Sequence, residues 1–333
     1  MELNSKIRYS ENDHYKWGFN EGWFNEPQAE GYFRVSIGSC SRPPESFRQE
    51  CIASAKLLGQ QFTKPILVGL SGGFDSQVVC LSLINAKVPF QPVILKLHDG
   101  KGNYYNDFDT VGAFEFCEKF GISPIVEELD LDDFFCNTAW KLISEYCITV
   151  ADIAVQLHLI TKYKDTHAYV NGGGDPTLGR QFDEATNSHK TIYSLGPTPI
   201  QQYLINHNIE GCVKFFMYTP EQIAAYLDHP VMHYFDNARN SIYDRSTWDY
   251  FTYAIKPMMY TDQWPELVER RKNTGFERVW YFNKVRELTR RMNEHINPNV
   301  KKVVWTYSEI LEHLLTGGGE IKTWSSTDER DFY

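Results

Sequence analysis

Apolar and polar residues alternate along this chain in two periods, and the switches between them lay out most of the region from residue 45 to 171. Pro43-Pro44 opens a stretch, Glu45–Phe62, in which Phe47, Cys51, Ile52, Ala55 and Leu58 share one face at helical spacing. A short apolar run after a proline, Ile66–Leu70, predicts a strand, and Gln77–Asn85 predicts a helix. Pro92–Leu97 reads as a second strand. Asp107–Phe120 reads as an amphipathic helix, with Val111, Phe114, Cys117 and Phe120 on one stripe and Gly121 as its stop. A third strand at Ile122–Leu129, helices at about Leu131–Tyr146 and Val150–Tyr163, and a fourth strand at Ala168–Asn171 complete the pattern. Strands separated by helices predict an α/β fold: a doubly wound parallel sheet covered on both faces.

The flanks read differently. Residues 1–44 form an aromatic-rich extension without a helical period, with one strand expected at Gly31–Ile37. Beyond residue 200 the strand signal fades. Helices are predicted at Glu221–Leu227, Trp264–Lys272, Phe282–Asn293 and Tyr307–Leu315. The expected organisation is therefore an extension (1–44), an α/β domain (45–200), a mostly helical portion shaping a substrate pocket (201–316) and a polar tail after Gly317–Gly319 (317–333).

Composition narrows the function classes. The 333 residues are 42% hydrophobic and 15% aromatic, which suits a folded chain. Lysine and arginine total 33 against 43 aspartates and glutamates, a net charge of −10 that argues against extensive nucleic-acid binding. No apolar run reaches the ~18 residues of a membrane span, and the N-terminus lacks the apolar core of a secretory signal. A cytoplasmic protein with no membrane partner is expected. The seven cysteines contain no CxxC pair, so neither a disulfide framework nor a zinc ribbon is indicated. His229 and His233 are four apart, but Pro230 between them breaks the helix that a metal pair would need.

The strongest chemical signal is Leu67-Val68-Gly69-Leu70-Ser71-Gly72-Gly73-Phe74-Asp75-Ser76. An apolar strand delivers the chain to a Ser-Gly-Gly turn whose glycines let backbone N–H groups approach an anion closely. A helix starting near Asp75 offers its unpaired N–H groups and positive dipole end to phosphate. Ser71 and Ser76 add hydroxyls, and Asp75 is suited to a magnesium ion bridging phosphate oxygens. A plain helix cap would use the same Asp and Ser, but not the whole strand–SGGFDS–helix context.

SGGFDS resembles the SGGxDS signature of the N-type ATP pyrophosphatases, the PP-loop superfamily. Those enzymes bind ATP on this loop, adenylate a carboxylate or carbonyl oxygen, and release pyrophosphate. The order of elements over roughly residues 45–180 is similar to the synthetase domain of asparagine and β-lactam synthetases. A helix precedes the loop strand, His98–Asp109 (HDGKGNYYNDFD) opens a later helix, and Asn171-Gly172-Gly173-Gly174-Asp175 stands where an acidic glycine loop is found. The resemblance implies that Ser71, Gly72, Gly73, Asp75 and Ser76 cradle the phosphates of ATP with Gly172 and Gly173 on the second loop. It further implies that Asp75 and Asp175 ligate Mg2+, Asp175 being part of the catalytic apparatus, and that Leu70 and Leu95 flank the adenosine. The family's lysine in the helical portion corresponds best to Lys256, in Ala254-Ile255-Lys256-Pro257, where an apolar setting calls for an anionic partner. A lysine snorkelling to the surface is the alternative. Arg270, Arg271 and Lys272 form a basic cluster that suits either phosphate binding or a solvated helix face.

Two departures bear on the activity. Gly172 or Gly173 stands where the family carries a glutamate, for which Asp183 or Glu184 would have to substitute. Glu2, rather than a nucleophilic cysteine, stands at position two, so no glutaminase domain is expected. The nitrogen would then come from free ammonia or an amine, or from a partner protein. The reading reached is an ATP-dependent, AMP-forming ligase acting on a small molecule or nucleoside. The alternatives are a sulfur-inserting PP-loop enzyme using Cys136 or Cys212, and a non-catalytic ATP or AMP sensor.

Overall fold

A computed structural model describes residues 8–10, 15–19, 33–139, 141–142, 151–173, 178–195, 199–237, 254–269 and 303–317. The chain enters its main body through α1 (Phe47–Gln61), which starts where the sequence supplies a reciprocal cap. The Ser46 hydroxyl accepts from Gln49 N–H, and the Gln49 side chain accepts from Ser46 N–H. From there β4 (Ile66–Gly69), α2 (Phe74–Ala86), β5 (Phe90–His98), α3 (Asp107–Phe120), β6 (Ile125–Asp130), α4 (Ala151–Tyr163) and β7 (Ala168–Val170) alternate as the apolar pattern predicts. Gly121 ends α3 in the left-handed region, at φ 64°.

These strands, with β10 (Gly211–Cys212), form a five-stranded parallel sheet in the order β10-β7-β4-β5-β6. The chain moves outward from β4 through β5 to β6, then returns to the other side of β4 through β7. That reversal puts a topological switch point between β4 and β7, where open α/β sheets bind ligands beyond their strand carboxyl ends. Alternation divides the core in two. Ile66, Val68, Leu70, Ile94 and Val170 pack with α1, α2 and α3, whereas Leu67, Val93, Leu97 and Tyr169 pack with α4. The sheet is covered on both faces, and the fold is α/β and doubly wound.

Elsewhere the structure departs from the pattern. The N-terminal extension is not irregular: β1 (Arg8–Ser10), β2 (Tyr15–Phe19) and β3 (Phe33–Ile37) make an antiparallel sheet. Three-to-five-residue strands give too short a window for alternation to register. A second small sheet joins the hairpin β8 (Leu178–Asp183) and β9 (Ser188–Leu195) to β11 (Val303–Thr306), more than a hundred residues away. Pairing at that separation leaves no local trace. Strands therefore continue past residue 200.

The helices predicted at Glu221–Leu227 and Tyr307–Leu315 appear as α6 (Pro220–Leu227) and α9 (Tyr307–Thr316), joined by α5 (Pro199–Asn206) and α7 (Pro230–Asn237). Thr219 caps α6 and Thr306 caps α9. The helix expected at Trp264–Lys272 is a correction. The helical turns lie just before it, in α8 (Lys256–Gln263), and Trp264–Glu269 is non-helical. Pro257 in the first turn has no N–H to lose there, so it starts that helix. The stretch predicted as a helix at about 131–146 is helical at every described residue, 131–139 and 141–142, with a π-turn at Phe134–Thr138 inside it; residues 140 and 143–146 lie outside the described residues. Residues 282–293 lie outside the described residues, as do 270–272. No helix among the described residues is long and apolar enough to cross a membrane.

Candidate functional site

The SGGFDS segment lies between β4 and α2, at the carboxyl end of the central strand. Its shape follows from its glycines. Gly72 sits at φ 81°, and a Cβ there would come within 2.8 Å of Ala113 N and 2.9 Å of Asp109 O on α3. Gly73 is the N-cap of α2 and makes no side-chain cap, so the first-turn N–H groups of α2 have no side-chain acceptor. Unpaired N–H groups at the positive end of a helix behind a glycine turn form an anion site. Gly72 and Gly73 do not line the adjoining cavity, and Gly73 O accepts from the Ser76 hydroxyl at 2.9 Å within the loop. Ser71 N–H donates to Ser76 Oγ at 3.2 Å, which draws the loop tight.

Gln77, directly after the motif, braces it from behind. Its side-chain nitrogen donates to Gly72 O (2.9 Å) and Val268 O (3.2 Å), and its oxygen accepts from Val268 N–H (2.8 Å). The loop is thereby tied to the segment that follows α8. Gln77 is fully buried, and its position beside the motif was the available sequence signal.

Asp75 is where two distant parts of the chain meet. Lys256 Nζ donates to its Oδ2 at 2.8 Å, and Tyr260 Oη donates to its Oδ1 at 2.7 Å. Lys256 and Tyr260 are one turn apart on the buried face of α8. The Tyr260 ring is fully buried, 5.9 Å from Phe216, 6.0 Å from Phe47 and 6.4 Å edge-on from Phe74. Such aromatic pairs contribute about 0.5–1.5 kcal/mol each beyond their area, and here they fix where the hydroxyl points. Lys256 is 8% exposed and lies against a carboxylate, not at the surface. Sequence reasoning missed Tyr260, although its i+4 spacing from Lys256 was a usable signal.

The second glycine loop closes against the first. A Cβ on Gly172 would stand 2.8 Å from the Asp75 carbonyl carbon and Cβ, and one on Gly173 would stand 2.3 Å from Val213 O. Only glycine permits this approach. Asn171 shapes the turn: its Oδ1 accepts from Gly173 N–H (3.0 Å), and its Nδ2 donates to Gln156 on α4 (2.8 Å). Gly174 and Asp175 lie outside the described residues. Glu184 is exposed on the turn between β8 and β9.

Between the two loops a cavity of about 350 Å3 opens on the α4 face of the sheet. Leu70, Ser71, Asp75, Ser76, Gly172 and Gly173 form its loop end. Leu95, Leu97, Val155, Leu159 and Tyr169 give the other end apolar walls, with Asn106 and Gln156 among them. The size and the mix of apolar walls with a few polar groups suit a small ligand. Burial raises the Tyr169 phenol well above its ordinary range, so it is a neutral group in the wall.

The thiols stand apart from this chemistry. Burial pushes Cys51 and Cys80 well up, Cys117 to about 11, and Cys40 to about 12 with help from Glu221. Cys212 is buried and Cys136 exposed, while Cys147 lies outside the described residues. His229 and His233 each face an aspartate, Asp262 at 3.3 Å and Asp228 at 2.9 Å, and Pro230 opens α7 between them. Among the described residues, no three His, Cys, Asp or Glu side chains converge as a metal site.

The chain matches no protein-family model and no curated protein. Solved structures to which it is similar include the NH3-dependent NAD synthetase from Campylobacter jejuni in complex with nitrate. That match has 12% identity over 39% of this chain, spans only 56% of the synthetase, and has a TM-score of 0.28. Another is the U34-tRNA thiolase NcsA from Methanococcus maripaludis with its 4Fe–4S cluster. It shows 15% identity over 75% of this chain and 81% of the thiolase, with a TM-score of 0.29. Likenesses this distant leave the fold class resting on the strand order itself, a five-stranded parallel α/β sheet with a glycine-built loop at its switch point.

Proposed function

We propose that this chain is an ATP-dependent adenylating ligase of the PP-loop kind, converting ATP to AMP and pyrophosphate. The observation that carries the reading is the convergence on Asp75. A strand–SGGFDS–helix loop at the switch point, a buried lysine from α8 and a glycine loop after β7 all meet at Asp75, which lines one end of a cavity. A phosphate chain placed there would meet the uncapped N-terminus of α2, the Ser71 and Ser76 hydroxyls and the Lys256 ammonium. Leu70 and Leu95 would flank the adenosine.

Magnesium fits the donor set: it is commonly held by one or two carboxylates together with phosphate oxygens, and Asp75 offers a carboxylate at the loop. Asp175 would supply the second. When bound, the ion neutralises charge on the phosphate oxygens. Both oxygens of Asp75 are engaged in this structure, so taking up the ion requires Lys256 or Tyr260 to yield one of them. A lysine released there would be ready to meet the phosphate charge.

In the reaction, a carboxylate or carbonyl oxygen of the acceptor attacks the α-phosphorus. The bond from that phosphorus to the α,β-bridging oxygen breaks, and pyrophosphate leaves with the electron pair. Ammonia or an amine, free or delivered by a partner protein, then attacks the activated carbon, loses a proton and displaces AMP. The acceptor is a small molecule or nucleoside. The protein's part is positioning and charge stabilisation.

The test is product analysis with ATP, Mg2+ and pools of carboxylates, nucleosides and amines. AMP with pyrophosphate, lost in Asp75→Ala, is expected. ADP with phosphate overturns the reading, as does ATP binding without turnover across all pools, which is the behaviour of a sensor.

A further inference from the structure

The α4 flank of the cavity carries two hydrogen-bonding groups that the phosphate loop does not use. Tyr169 is 4% exposed and lines the cavity from β7, and its hydroxyl meets no partner among the described residues. Gly69, the last residue of β4, makes room for that hydroxyl. Its φ lies outside the left-handed region, so the backbone there does not call for glycine, but a Cβ would stand 2.8 Å from Tyr169 Oη. Asn171 lies two positions after Tyr169 and so on the same side of the extended chain. Its oxygen accepts from Gly173 N–H (3.0 Å), and its Nδ2 donates to Gln156 Oε1 (2.8 Å). Those bonds fix the Gln156 carboxamide with its oxygen spent, while its Nε2 donors meet no acceptor among the described residues. Gln156 lines the same flank, and the described lining here (Val155, Gln156, Leu159, Tyr169 and Asn171) carries no charge. The sheet order β7-β4-β5 puts this flank across β4 from Leu95, where the adenosine is placed.

We propose that Gln156 and Tyr169 form the acceptor subsite, and that they hold the acceptor by an uncharged amide edge, as in a cyclic amide or ureide, and not by a carboxylate. The inference rests on the ligase reading above. Gln156 Nε2 donates to the acceptor's carbonyl oxygen, and Tyr169 Oη accepts from the adjoining N–H. The carbonyl's second lone pair is left to attack the α-phosphorus. The N–H proton leaves as that O–P bond forms, and the amine that later displaces AMP turns the amide into an amidine. A carboxylate on this flank would be desolvated with no cation beside it among the described residues. Burying an unpaired charge costs far more than burying a neutral group that is hydrogen-bonded. Lys256 meets Asp75 at the loop end, where the phosphates are placed.

The experiment measures AMP and pyrophosphate formed by the full chain with ATP, Mg2+ and amines. One arm supplies a pool of cyclic amides, ureides and lactam nucleosides, the other a pool of carboxylic acids. Turnover is expected with the first pool, about tenfold or more above the second. Two variants are then measured on the active member of that pool. Tyr169→Phe keeps the ring and loses the hydroxyl, and is expected to raise the KM for the acceptor about tenfold while the KM for ATP stays within about twofold. Gln156→Glu keeps an oxygen for Asn171 Nδ2 and loses the donor, and is expected to raise the acceptor KM at least as far. It also serves should the phenylalanine variant fail to fold. Carboxylic acids turned over at a comparable or greater rate overturn the inference and leave the ligase reading standing. So does an unchanged acceptor KM in a folded variant, or a KM for ATP that rises with it. No AMP from either pool overturns both.

Discussion

Ser71–Ser76 and Lys256–Tyr260 meet at one carboxylate, yet they are built from different material. The loop works through its backbone: Gly72 at φ 81°, Gly73 without a side chain, and the uncapped first turn of α2. Its geometry is almost all local, fixed within a few residues of β4. The α8 side works through side chains held from afar. Tyr260 takes its direction from Phe47, Phe74 and Phe216, three aromatics separated by up to about 170 positions in sequence. A backbone site tolerates no added atoms but asks little of its surroundings. A side-chain site tolerates change at its edges but depends on the whole core for its aim.

The largest effect is expected at the shared point. Asp75→Ala removes the acceptor for both α8 groups and the carboxylate suited to magnesium, so formation of AMP and pyrophosphate should fall by about 1,000-fold or more. Retained turnover would mean that the two sides do not meet for chemistry. Lys256→Ala should follow, with kcat down about 100-fold. Lys256→Arg should not restore it, because a planar guanidinium does not replace a compact ammonium in a buried niche.

Gly172→Ala tests the backbone side alone. Its methyl would meet Asp75 at 2.8 Å, and overpacking of this kind costs about 1–3 kcal/mol, read as a lower Tm and about tenfold weaker nucleotide binding. An unchanged melting curve would show that the second loop has slack which the contacts deny. Tyr260→Phe should be mildest. It keeps the ring packing and loses one hydrogen bond to a carboxylate, so kcat should drop by less than about tenfold with an unchanged fold. A loss as large as that of Lys256→Ala would make the tyrosine a reacting group and not a positioning one.

How much of this was legible in the sequence tracks the same division. Strand β4, the glycine turn and the start of α2 could be read because each residue's role there depends on its own backbone and its immediate neighbours. The stop at Gly121 was readable for the same reason, whereas the cap at Ser46 went unread, the helix being expected to begin at Glu45. Lys256 was found only as a charge in apolar surroundings, and nothing local pointed to Asp75 as its partner 181 positions away. Asn106 was legible as part of HDGKGNYYNDFD but not as the side chain that bridges Leu95 O and Leu97 N–H. That role exists only because β4 ends before β5 does. The hairpin β8–β9 and its partner β11 went unread, since their pairing is decided across a long separation.

The sequence by itself determined the alternating α/β body and the anion-binding turn, because hydrophobic period and glycine stereochemistry act over a few residues. Tertiary structure decided which cation and which hydroxyl reach Asp75, how closely Gly172 may approach it, and which side-chain donors beside β7 remain open to a ligand. These depend on the packing of segments far apart in the chain, where direction and distance are set by the core as a whole and not by any one stretch of residues.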